Sequence, residues 1–167
     1  MFQKLTLLAA VWLLTLGASA LFAAPNQNIY VGRAEKISDG DTITLLTEDY
    51  ERIRVRFYGV DSPEKKQPAG PEATLALKKL IEGQTITVEE MDTDRYSRIV
   101  GLVRVKGQLV NLTLVRNGWA WLYPNYCKVK DLCSAMARAE REAKAQGLGL
   151  WREPNPIPPW SWRKGER

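Results

Sequence analysis

The residues best suited to chemistry lie at the two ends of one folded-back stretch. Asp39 and Asp41 stand in Ser38-Asp39-Gly40-Asp41-Thr42, and Asp61 and Glu64 stand in Val60-Asp61-Ser62-Pro63-Glu64. Two segments of alternating apolar residues run between them. Antiparallel strands set distant residues side by side, so carboxylates bracketing such a hairpin can converge on one cation. With oxygen donors only, that cation is hard, and Ca²⁺ is the natural candidate. Arg56, five residues before Asp61, suggests a phosphate, because its guanidinium fork binds phosphate oxygens in pairs.

Composition narrows the chemistry further. The chain has 167 residues and no histidine, which excludes a Ser-His-Asp triad, a Cys-His nucleophile pair and an ordinary zinc site. Catalysis must then rest on carboxylates, arginines, lysines, tyrosines and a hard metal. Cys127 and Cys133 lie close together in a chain that carries export signals. A local disulfide is the expected reading, with free thiols as the alternative.

The N-terminal 24 residues read as a targeting segment. Lys4 supplies a basic start, Leu5 to Leu16 an apolar run, and Ala18-Ser19-Ala20 a small-residue cleavage site. Cleavage near residue 20 is expected, which places the protein in the periplasm or outside the cell. The apolar run continues to Ala24, so an uncleaved membrane anchor facing away from the cytoplasm is the alternative. Removing residues 1–20 takes one lysine and changes the net charge from 24 − 19 = +5 to 23 − 19 = +4. A mildly basic domain suits a polyanion, although charge alone is weak support.

Strands are expected over Tyr30 to Ile37, Thr42 to Thr47 and Glu51 to Tyr58. In the third, Ile53, Val55 and Phe57 face one way, and Arg52, Arg54 and Arg56 the other. Arg52 and Arg54 read as the solvated side of the sheet, whereas Arg56 adjoins the acidic cluster. A helix follows, with Gly70 as its cap, Pro71 in its first turn and Gly83 after its end. Two more strands, Thr85 to Glu89 and Arg98 to Val105, precede a short helix capped by Asn111 and a last helix from Asp131 to Gln146. Trp119, Trp121 and Trp151 read as core. Residues 154–167 are rich in Pro, Trp and Arg, without helical or strand periodicity. Five short strands with a helix after the third suit an α+β domain over residues 25–153, a five-stranded OB-fold barrel with three packed helices.

Several motifs in register give a resemblance to a known family. They are Asp39-Gly40-Asp41-Thr42, Arg56 with Val60-Asp61-Ser62-Pro63-Glu64, and Gly70-Pro71-Glu72-Ala73. Asp94-Arg95-Tyr96-Ser97-Arg98, Leu114-Val115-Arg116-Asn117-Gly118 and Gly147-Leu148-Gly149-Leu150-Trp151 follow in order. On these the chain resembles the staphylococcal nuclease family. The resemblance implies a Ca²⁺-dependent phosphodiesterase on an OB-fold barrel that cleaves DNA and RNA to 3′-phosphorylated products. It implies that Asp41, Asp61 and the backbone carbonyl of Ser62 hold the metal, with Asp39 and Thr42 supporting them. Arg56 and Arg98 would grip the scissile phosphate, Glu64 would activate or position water, and Arg95 and Tyr96 would contact the substrate phosphate. The loop from Glu64 to Gly70 is shorter than the family pattern, and Ala69 stands where an aromatic is expected. Tyr123-Pro124-Asn125-Tyr126 does not match the tyrosines that pack on the nucleotide base. The cysteine pair and the Trp-rich tail lie outside the pattern.

Two other functions fit the same sequence. One is a non-catalytic OB-fold module for single-stranded nucleic acid; the other is an envelope accessory or interaction protein that docks through its tail. A monomer, with single-stranded nucleic acid as the favoured partner and no small-molecule cofactor, is the default expectation.

Overall fold

The computed structural model describes residues 28–166. The targeting segment expected over residues 1–24 lies outside them. Strands β1 (Ile29–Ile37), β2 (Thr42–Thr47) and β3 (Arg52–Phe57) form an antiparallel meander. After a two-residue strand β4 (Val60–Asp61) and helix α1 (Gly70–Ile81), β5 (Ile86–Thr93) pairs with β1, and β6 (Ile99–Val105) pairs with β5. Parallel pairing of β3 with β6 closes these five long strands into a barrel. Closure removes the unpaired edges that an open sheet would expose.

The alternation that marked the strands fills the barrel. Ile43, Leu45, Val55, Phe57, Ile86, Val88 and Val103 are essentially inaccessible to solvent. Each such side chain contributes roughly 1.5–3 kcal/mol relative to an exposed one. Helix α1 lays Ala73, Leu77 and Ile81 against this core. The hairpin after β6 turns at Lys106 and Gly107, both left-handed (φ 49° and 78°), as a two-residue turn between right-twisted strands requires. It leads into β7 (Gln108–Leu109) and α2 (Val110–Arg116). Strand β8 (Trp121–Leu122) then pairs with β4, so Asp61 lies opposite Trp121. Helix α3 (Lys130–Ala145) buries Met136, Ala139 and Ala143. The Cys127–Cys133 disulfide spans the approach to α3. Beside it, the Tyr58 hydroxyl accepts hydrogen bonds from the amides of Lys128 (2.6 Å) and Val129 (3.2 Å).

Two expectations are corrected. Gly70 is the first residue of α1 and not its cap; the capping position is Ala69, at φ 64°. Asn111 does not cap α2 but sits inside it, fully buried. Its Oδ1 accepts from the Val103 amide at 2.9 Å, and its Nδ2 donates to the carbonyls of Tyr58 (3.0 Å) and Gly101 (3.1 Å). A buried side-chain amide must satisfy itself this way, and in doing so it pins α2 to the barrel. The tail, which has no period in sequence, is ordered against the body and carries a fourth short helix, α4 (Pro159–Trp162).

Candidate active site

The turn between β1 and β2 presents Asp41 to the β4 segment. Asp41 and Asp61 are almost wholly buried, 4% and 1% exposed, and nothing apolar would hold two carboxylates there uncompensated. The Arg56 guanidinium spans them. Its Nη1 is 2.7 Å from Asp41 Oδ2, and its Nη2 is 2.7 Å from Asp61 Oδ1. Two carboxylates from separate turns therefore share one cation. The Ser62 amide donates to Asp41 Oδ2 at 2.5 Å, and the Thr42 hydroxyl donates to Asp41 Oδ1 at 3.2 Å. Asp39 closes its own turn by accepting the Asp41 amide at 3.1 Å. Burial pushes the Asp41 carboxyl well above the usual carboxylate range, and the Asp39 and Asp61 charges add to this; Arg56 and the Ser62 amide oppose it.

Gly40 is required by close approach. A Cβ there would lie 2.7 Å from Ser62 Cβ and push the acidic turn off the Asp61-Ser62 segment. Gly70 plays the same part on the other side, where a Cβ would lie 1.9 Å from the Glu64 carbonyl oxygen. Between them, Gln67 folds the loop that carries Glu64. Its Oε1 accepts the Glu64 amide at 3.1 Å, and its own amide donates to the Glu64 carbonyl at 2.8 Å. Glu64 stands at the edge of the cluster, partly exposed. Arg163, from the end of the tail, reaches in and joins Glu64 to Asp61. Its Nη1 is 2.7 Å from Glu64 Oε1, and its Nη2 is 2.8 Å from Asp61 Oδ2.

Asp39, Asp41, Thr42, Arg56, Asp61, Ser62 and Glu64 thus come together. The remaining residues of interest form a second group at the turn between β5 and β6. Arg98 pairs through Nε with Asp94 Oδ2 at 2.7 Å, and Asp94 Oδ1 accepts the amides of Tyr96 (2.9 Å) and Arg98 (3.0 Å). Burial acts to raise the Asp94 carboxyl, but these donors outweigh it and hold the group below its ordinary value. The Arg95 guanidinium donates to the Tyr96 hydroxyl and lies 4.8 Å from the ring centre. Parallel pairing sets Val55 beside Ile99 and Arg56 beside Val100, so this group adjoins the strand that carries Arg56. Arg54 donates to the Tyr96 carbonyl, and Arg52 pairs with Glu35 in solvent, as befits the outer face of β3.

The donor set fits a hard cation in type. Asp41, Asp61 and the Ser62 main chain offer only oxygen, and the two carboxylates already converge on a single positive centre. Among the described residues no group of three or more Asp, Glu or Cys side chains is arranged to hold a metal ion by itself, so an ion here would depend on main-chain and solvent oxygens as well.

Gln67 and Arg163 carry no signal in the sequence. Gln67 is one polar residue in a polar loop, and its burial at 4% exposure is visible only in the fold. Arg163 lies 99 residues beyond Glu64 in an aperiodic tail.

Comparison with known proteins identifies relatives of this chain. The model of the family described as "Staphylococcal nuclease homologue" matches residues 54–153, which run from β3 through the segment after α3. The chain is 34% identical to a micrococcal nuclease of Shigella flexneri over 169 aligned positions, covering 96% of this chain and 95% of that protein. It is 39% identical to an uncharacterized endonuclease of Escherichia coli, covering 79% of this chain and 84% of the other. Against the staphylococcal-like nuclease CAN1 of Arabidopsis thaliana the identity is 40%, over 70% of this chain and 35% of that one. With the five-stranded barrel and its three larger packed helices in place, the chain belongs to the staphylococcal nuclease family.

Proposed function

We propose that this protein is a secreted or periplasmic Ca²⁺-dependent nuclease that hydrolyses phosphodiester bonds in DNA and RNA, leaving 3′-phosphates. The observation that carries the reading is the convergence of Asp41 and Asp61, from opposite ends of a hairpin, on one cationic centre bordered by Glu64. The nuclease names of its relatives support it.

When bound, Ca²⁺ supplies positive charge to a non-bridging phosphate oxygen and so offsets the charge that builds there during reaction. Asp41 and Asp61 would hold it, with the Ser62 carbonyl. Arg56, fixed between those carboxylates, offers the phosphate a second cation that is already oriented. Its order is established before substrate arrives, so little reorganisation is needed in the transition state. Arg98 would exchange Asp94 for a phosphate oxygen, which its planar fork can grip in two places. Glu64 stands at the solvent-facing edge, where its carboxylate can accept a proton from water or hold that water in line. Tyr96 and Arg95, exposed beside Arg98, would contact the next phosphate along the strand.

Incubation of the purified protein with single-stranded DNA in Ca²⁺, and in parallel with EGTA, tests the proposal. Cleavage that stops with chelator and leaves phosphatase-sensitive 3′ ends is the expected result. Retention of DNA without cleavage would replace the enzyme by a binding module. Neither cleavage nor retention would favour the accessory role.

A further inference from the structure

The tail is held by contacts that have nothing to do with its end residue. The Ile157 carbonyl accepts from Gln67 Nε2 at 2.5 Å, and Pro159 is buried. Trp160 stacks on Tyr123, with ring centres 5.1 Å apart and planes 9° from parallel, and meets Trp121 edge-on at 5.7 Å. Such aromatic pairs stabilise docking beyond the area they bury. The anchored short helix then delivers Arg163 to the candidate catalytic carboxylates.

Arg163 takes the oxygens that the proposed chemistry needs. Its Nη2 holds Asp61 Oδ2 at 2.8 Å, and its Nη1 lies 3.2 Å from Asp61 Oδ1 and 2.7 Å from Glu64 Oε1. Arg56 also occupies Asp61 Oδ1. Both oxygens of Asp61 are therefore committed to guanidinium groups. A divalent ion on Asp61 must displace one of them, and a fixed positive charge nearby repels it in a site that water screens poorly.

We infer that residues 154–166 form a tethered strap whose Arg163 competes with the metal for Asp61 and with water for Glu64, so that Ca²⁺ and the docked strap are alternative occupants. The inference rests on the Ca²⁺-nuclease reading above. Because the strap is part of the chain, its effective concentration at the site is high and independent of protein concentration. Filling the site with Ca²⁺ would release Arg163, which is then free to meet the substrate's phosphates.

The test is calorimetric titration of Ca²⁺ into the full protein without nucleic acid, with tryptophan emission followed in parallel. Arg163→Ala is expected to bind Ca²⁺ about tenfold more tightly than wild type, the scale of losing charge-assisted hydrogen bonds. Trp160→Ala, which loosens the strap without touching the carboxylates, is expected to shift affinity in the same direction. Wild-type emission should change on Ca²⁺ addition as Arg163, three residues beyond Trp160 at the end of the same short helix, is displaced from Asp61. Unchanged or weaker Ca²⁺ binding in both variants would overturn the inference while leaving the nuclease reading intact. So would an Arg163→Ala protein with wild-type Ca²⁺ affinity and much slower cleavage, which would make Arg163 a phosphate ligand. A wild type that neither binds Ca²⁺ nor cleaves DNA in its presence would remove the nuclease reading, and this inference with it.

Discussion

Replacing Arg56 by lysine is expected to slow cleavage of single-stranded DNA by about 10³-fold or more, with the barrel still folded. The guanidinium bridges Asp41 and Asp61 through two different nitrogens, each at 2.7 Å, while an ammonium is a point charge and cannot reproduce that span. Lysine keeps one positive charge among the buried carboxylates, so the fold survives. Arg56→Ala separates the two contributions. It leaves two buried carboxylates without their common partner, and breaking a buried pair in this way costs roughly 3–5 kcal/mol. Initial cleavage rates at saturating Ca²⁺, together with urea unfolding of both variants, make the measurement. A lysine variant with near-wild-type turnover would show that Arg56 is a structural clamp and not a phosphate contact.

Glu64→Gln is expected to lower kcat by about 10² to 10⁴, the usual contribution of a positioned general base. Its expected effect on Ca²⁺ affinity has the opposite sign. Arg163 loses its ion pair with Glu64 at 2.7 Å, so the strap holds less firmly and Ca²⁺ binds somewhat more tightly. A parallel loss of metal binding and turnover would instead make Glu64 a metal ligand. Measuring both quantities on one preparation distinguishes the two roles.

How far the sequence reveals this arrangement depends on the kind of contact. The strands were legible because burying one face forces a period of two, and Ile43, Leu45, Val55 and Phe57 obey it. Asp41, Asp61 and Arg56 were legible as a cluster because a hairpin brings its ends together, and charges buried there must compensate one another. Asn111 departs from its expected place for a physical reason. An asparagine beside a helix start looks like a cap, but here its amide satisfies three main-chain groups of the barrel. The pairing of Arg98 with Asp94, four residues away, is a local contact that motif spacing does not reveal. Arg163 and Gln67 were illegible altogether. Their importance comes from where an aperiodic tail docks, and that depends on Trp160 finding Tyr123.

A crystal of the wild-type protein grown with Ca²⁺, with the ion located by its anomalous signal, tests the central claim most directly. A single ion bound by oxygens of both Asp41 and Asp61, at about 2.3–2.6 Å, with the Arg163 guanidinium displaced from Asp61, is the predicted result. Calcium density away from both aspartates, at a concentration that supports cleavage, would contradict the account.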